Sequence, residues 1–233
     1  MSEDLAGLRS AVASTARVLA SSGLAEAFGH VSARTPTGFL ITSTSPLFEA
    51  TADDVIRVES GVPAGGPTHA APLEMPMHAA IYDARPDVGA VCRGHPPYVV
   101  IWGVSAQPLP LLHGLGGMAG RTVRTHPDIE LVKTAEAGEA VARTLGGDSC
   151  VLLATNGCLA VGADLLEAST RLWFLEDRAR VAVQARSAGL TPLTVREYTW
   201  DRRLCDSAPE LVRAREWMRR SFAPDQDEKG SPS

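Results

Sequence analysis

The side chains best suited to chemistry lie between Glu74 and Pro96, in EMPMHAAIYDARPDVGAVCRGHP. Glu74, Arg93 and His95 bring a carboxylate, a guanidinium and an imidazole, the groups that move protons and hold negative charge. Arg93 and His95 are two apart, so on an extended backbone they point to the same side. Glu74, at the start of a helix, can reach that side. The chemistry of such a trio is proton transfer beside a fixed cation that steadies an anion. Glu74 and Arg93 can also form a purely structural ion bridge, and the sequence leaves both readings open.

The elements that must position this trio follow from spacing. Met77 and Ile81 fall four apart, as do His78 and Tyr82, so each pair shares a helix face. His78 reads as a core histidine with a local hydrogen bond, with a place in the site as the lesser alternative. Pro86 ends this helix, and 88–92 is an apolar run that predicts a buried strand. Upstream, Leu5, Leu8, Val12, Ala16 and Leu19 form one stripe of a helix over 5–22, stopped by Gly23. Residues 29–34 and 38–43 predict two strands around a Thr35-Pro36-Thr37-Gly38 turn, and 55–59 a third. The hydroxyls of Thr42, Ser43, Thr44 and Ser45 either hold a carboxylate or satisfy loop backbone. A loop follows over 61–72, with His69 exposed in it.

Downstream, 98–104 is a helix start or a strand, and 111–120 is too glycine-rich for a helix interior. Residues 128–145 predict a helix, with His126 on the surface before it. Strands are expected at 150–154 and 158–161, joined by a tight Asn156-Gly157 hairpin. There Asn156 either only tolerates a left-handed backbone or also offers its amide to a substrate. Asp164 and Glu167 open the longest helix, which Gly189 closes. The tail is less regular. Tyr198, Trp200, Trp217 and several arginines suggest a segment that packs on a neighbour or covers the site, and 223–233 is polar and expected to be disordered. Residues 1–222 read as one domain.

Taken in order, these pieces resemble the class II aldolase/adducin family. The carriers are Glu74, His78 and Tyr82, RPDVGAV, and Arg93-Gly94-His95-Pro96 in place of His-x-His-Pro. Gly29-His30-Val31-Ser32 is similar to the family's early Gly-Asn-x-Ser turn, and FLITS, TADDV, LLATNGCLAVG and DLLEA continue the match to about Leu193. The resemblance implies a three-layer α/β/α sandwich with a central, mostly antiparallel sheet. It also implies a cyclic homotetramer with sites between subunits, and a divalent metal such as zinc held by three histidines. Here those positions are Arg93, His95 and Asn156, which leaves His95 as the residual ligand. Arginine stays protonated and has no lone pair to donate. The phosphate-holding serines before the Glu are replaced by Ala71-Pro72-Leu73, which argues against a sugar phosphate. His113 falls in a segment that the resemblance places near the site's mouth.

Composition narrows the partners. Of 233 residues, 45% are hydrophobic and 21% charged, the balance of a soluble globular protein. A net charge of −5 argues against nucleic acid, and no apolar run reaches the length of a membrane span. The four cysteines have no CxxC spacing, and Cys92 and Cys158 lie in apolar runs, which points to a reducing cytoplasm. The expected activity is that of a lyase on a small unphosphorylated oxygenated acid: decarboxylation, retro-aldol cleavage or dehydration through an oxyanion. Glu74 is the acid/base, Arg93 the fixed charge in place of the metal, and His95 and His30 orient substrate or shuttle protons. Ser32, Ser43, His113, Asn156 and Tyr198 complete the candidate substrate contacts. An isomerase, cyclase or oxygenase on the same scaffold, and a non-catalytic member, are the alternatives.

Overall fold

The computed structural model describes residues 2–64, 71–105, 107–205 and 208–222. Helix α1 (Ser2–Ser21) is followed by strands β1 (His30–Thr35), β2 (Gly38–Thr42), β3 (Val55–Glu59) and β4 (Val62–Pro63). Then come α2 (Met75–Ala84), β5 (Ala90–Gly94), α3 (Pro97–Gly103), β6 (Arg124–His126) and α4 (Ala135–Leu145). The chain continues through β7 (Cys150–Leu153), β8 (Cys158–Gly162), α5 (Leu165–Ser187), α6 (Glu197–Cys205) and α7 (Ala208–Phe222). Among the described residues the strands form one eight-stranded sheet, ordered β4-β3-β2-β1-β5-β8-β7-β6. The β6–β7 pair is parallel and the others antiparallel, the mostly antiparallel sheet expected.

The central strands are apolar on both faces because both faces are covered. On one, Val31, Cys92, Cys158 and Ala160 meet Leu19 of α1, Val99 of α3 and Leu172 and Leu175 of α5. On the other, Ile41, Val91, Leu159 and Val161 meet Met77, Ile81 and Tyr82 of α2 and Val141 and Leu145 of α4. The result is helices, sheet, helices. Each fully buried Leu or Ile contributes about 1.5–3 kcal/mol. Asp164 caps α5 by accepting from Glu167 N at 2.8 Å, and the Glu167 carboxylate accepts in return from Ala163 N at 2.7 Å.

Several expectations are corrected. The helix expected from 128 begins only at Ala135, because Asp128 turns back to accept from Glu130 N and Thr134 caps by accepting from Ala137 N. His126 is buried rather than on the surface: it ends β6, too short to show a period, and its Nδ1 lies 2.9 Å from Thr144 Oγ1. The strand expected at 88–92 runs over Ala90–Gly94, since Val88 N closes a turn onto Arg85 O. The glycine-rich loop contains a 3₁₀ turn at Leu115–Ala119. The tail is two helices, and Trp217 and Phe222 of α7 pack on Trp173 of α5, at ring distances of 5.0 and 5.2 Å. The readings of His69 and of residues 223–233 fall outside the described residues. No helix among the described residues is long and apolar enough to cross a membrane.

Candidate active site

Strands β1 and β5 are antiparallel neighbours in a register that puts His30 opposite Arg93. Both side chains fall on the face covered by α2, and Glu74 immediately precedes that helix. The β7–β8 hairpin brings Asn156 to the same place. Its positive φ angles are at Thr155 (57°) and Gly157 (73°), so Asn156 is not the left-handed residue that the Asn-Gly signal suggested. Gly157 is obligatory for another reason as well. A Cβ there would meet Gly94 O at 2.3 Å and Arg93 Nη1 and the His95 ring at 3.0 Å.

Four of the candidate residues converge on Glu74. Its Oε2 lies 3.1 Å from Arg93 Nη2 and 3.4 Å from His30 Nε2, and its Oε1 accepts from Asn156 Nδ2 at 3.1 Å. His95 joins through Asn156, with Nε2 3.3 Å from Oδ1, while its Nδ1 lies 3.1 Å from the Phe28 carbonyl. Arg93 is wholly buried, yet it makes a single hydrogen bond to a carbonyl, from Nη1 to Gly94 O at 2.8 Å. Its Nη2 is close enough to Glu74 for an ion pair but off the line of a hydrogen bond. Nε has no acceptor among the described residues, and Nη2 has only this ion pair with Glu74. Buried guanidinium donors are rarely left open in a folded protein, and an oxyanion or carboxylate is the partner they fit.

The electrostatics follow from this crowding. Burial pushes the Glu74 carboxyl up, but the hydrogen bond from His30 and the charge of Arg93 outweigh it and hold the pKa at about 2. Glu74 is a carboxylate at neutral pH, and once protonated it releases the proton readily. His95 Nε2 faces Asn156 Oδ1, while its Nδ1 lies between an acceptor, Phe28 O at 3.1 Å, and a donor, Arg93 Nη1 at 3.5 Å, so a neutral ring that donates from Nε2 is satisfied. Burial first, then Arg93, lower its pKa, so a protonated His95 gives up its proton readily.

Other residues take different places. His78 is the buried, hydrogen-bonded core histidine read for it, but its bond is not local: Nε2 lies 2.6 Å from His30 Nδ1, on β1 behind the site. Ser32 is fully buried and engaged by His78 and Tyr82, so its hydroxyl faces the interior and not a ligand. Ser43 is buried and accepts from Ser45 N, the backbone role weighed for it. His113 lies 3.5 Å from Asp177, and Tyr198 is 59% exposed on α6; neither contacts the Glu74 group among the described residues. The inward role of His78 had one signal in sequence: it shares a helix face with Tyr82, as His30 shares a strand face with Ser32.

The donor set also tests the implied metal. A zinc site needs three or four converging nitrogen, sulfur or oxygen donors. Arg93 fills one position with a cation that donates and cannot coordinate, and Asn156 fills another with an amide already bridging Glu74 and His95. Among the described residues no group of three or more His, Cys, Asp or Glu is placed to hold an ion. These residues do not fit the family's metal.

A family model described as "Class II Aldolase and Adducin N-terminal domain" matches residues 10–183. A 3,4-dihydroxyphthalate decarboxylase of Arthrobacter keyseri is 30% identical over 202 residues, covering 79% of this chain and 81% of that one. One from Rhodococcus jostii is 28% identical over 214 residues, covering 85% and 88%. Among solved structures, an L-fuculose 1-phosphate aldolase superposes with a TM-score of 0.80 at 23% identity, over 86% of this chain and 95% of that one.

Proposed function

The chain belongs to the class II aldolase and adducin family, and from that premise we propose that it is a lyase that decarboxylates a small hydroxylated, unphosphorylated acid. The observation that carries this reading is a fully buried Arg93 whose Nε has no acceptor among the described residues and whose Nη2 is paired with an ionised Glu74. Relatives about 30% identical that are named 3,4-dihydroxyphthalate decarboxylases support the choice among lyase reactions. Arg93 donates to the substrate's developing oxyanion. Glu74 takes the proton of the adjacent hydroxyl and delivers it to the carbon that bears the carboxylate. The bond to the carboxylate then breaks, CO2 leaves, and the oxyanion is reprotonated from solvent. His95 and Asn156 keep Glu74 oriented. Arg93 supplies the positive charge that relatives draw from a metal. We place the active unit within residues 1–222, as a homotetramer in a reducing cytoplasm, with no nucleic-acid or membrane partner.

The test is CO2 release from a panel of hydroxylated aromatic and keto acids by the purified chain. Arg93→Met and Glu74→Gln should each lower kcat by roughly 10²–10³-fold on the substrate found. An Arg93→Met enzyme that keeps its rate would remove Arg93 from the chemistry.

A further inference from the structure

A line of polar side chains runs from Glu74 into the interior. Glu74 Oε2 is 3.4 Å from His30 Nε2, and His30 Nδ1 is 2.6 Å from His78 Nε2. His78 Nδ1 is 2.7 Å from Ser32 Oγ, which is 2.8 Å from Tyr82 Oη. All five residues are buried. The protons can be counted along this line. A carboxylate only accepts, so His30 carries its proton on Nε2. Its Nδ1 is then a lone pair, and His78 must donate from Nε2. The lone pair on His78 Nδ1 accepts a hydrogen bond from the Ser32 hydroxyl, and Ser32 accepts from Tyr82. Beyond the Glu74 carboxylate every member is neutral, and His30, His78, Ser32 and Tyr82 each donate once.

The reverse direction needs a protonated Glu74 or a charged ring. Burial, with Arg93 nearby, lowers the His30 pKa, and burial takes that of His78 well below its ordinary value. Burial likewise raises that of Tyr82, so its hydroxyl donates without ionising. The charged and titratable groups acting on His30 are Glu74, Arg93 and His95; those acting on His78 are His30 and Arg93.

We infer that His78, Ser32 and Tyr82 are positioning residues that, with the Glu74 carboxylate setting the direction, lock a neutral His30 in its Nε2–H tautomer, so that a hydrogen-bond donor rather than a base faces Glu74 and the ligand. A donor of this kind holds an anion without surrendering a proton, which keeps proton traffic on Glu74. The assignment rests on Glu74 being the proton-handling group, but its test needs no substrate, so the two readings fail separately.

The experiment is two-bond ¹H–¹⁵N correlation of the full chain labelled with ¹⁵N-histidine, with assignments from His30→Gln and His78→Gln. Both rings should show the neutral Nε2–H pattern at neutral pH and keep it as the solution is acidified through the ordinary histidine range. An Nδ1–H pattern or an imidazolium at neutral pH, on either ring, overturns the inference. Glu74→Gln removes the anion that sets the direction and should bring a second tautomer into exchange on both rings. An unchanged pattern in Glu74→Gln would overturn the carboxylate's part in the lock.

Discussion

Arg178 of α5 and Arg93 of β5 are buried to nearly the same degree, at 2% and 0% exposure, and their surroundings differ. Arg178 donates from Nε to Pro110 O at 3.0 Å, from Nη1 to Gly120 O at 2.8 Å and from Nη2 to Leu109 O at 2.6 Å. Its neighbours are the carbonyls of an irregular, glycine-rich segment that has no ladder of its own to satisfy them. Burial lowers its pKa to about 10, still far above neutrality. Arg93 gives one hydrogen bond to the carbonyl next to it in sequence, has His95 Nδ1 3.5 Å from Nη1 and Glu74 Oε2 3.1 Å from Nη2, and leaves Nε without an acceptor among the described residues. The first guanidinium completes the fold. The second is completed only by something the fold does not contain. Burial of a charge is thus not informative by itself; the state of its hydrogen-bond inventory is.

The largest expected effect tests the Arg178 half. Arg178→Met keeps most of the volume but leaves three buried carbonyls without donors, and should cost about 4 kcal/mol in urea unfolding. A loss under about 1 kcal/mol would mean that the loop carbonyls find water instead. Next comes pH. The Glu74 pKa falls from an ordinary 4.5 to about 2 in the folded chain, so the unfolded chain binds the proton first on acidification. The resulting stability is complete above about 4.5 and is lost as pH falls toward about 2, up to about 3 kcal/mol. Glu74→Gln should flatten stability against pH in that window, and Arg178→Met should leave it unchanged, since Arg178 donates to uncharged carbonyls. Somewhat smaller is the gain from restoring donors: Arg93→His with Asn156→His should raise zinc affinity by on the order of 10²-fold by calorimetry. No gain would mean that positions 93, 95 and 156 do not converge as described.

The Arg93 region was far more legible in sequence than the Arg178 region. Glu74, Arg93 and His95 are close in sequence and carried by one helix and one strand, so local periodicity nearly fixes their relation. The part of the site that escaped is non-local. That α2 lies over the His30–Ser32 face of β1 depends on sheet order, which no local period encodes, and so His78 read as packing. Asn156 was ambiguous because Asn-Gly is also a turn signal, and only the φ angles separate the two roles. Residues 109–120 gave no period at all. The arginine that organises them lies 58 residues or more away in sequence, in the middle of α5, where it resembles any other helix arginine. The tail helices were missed because their apolar residues are sparse and their burial depends on Trp173.

The smallest effect is the most demanding test of the comparison. If Arg93 and Glu74 exist for a ligand, removing both should cost the empty fold little. The pair is buried and incompletely hydrogen-bonded, and desolvation of two charges offsets most of their attraction. Arg93→Met combined with Glu74→Gln keeps volume and removes both charges. The Gln oxygen can accept from His30, and Asn156 can turn its amide so that its oxygen accepts from the Gln nitrogen, so no partner is stranded. The double variant should therefore unfold within about 1 kcal/mol of the parent, or be more stable, while each single change costs more because it leaves the other charge alone. A double variant as unstable as Arg178→Met would show that Arg93 is a second structural staple, and its open donor would then lose its meaning as a ligand site.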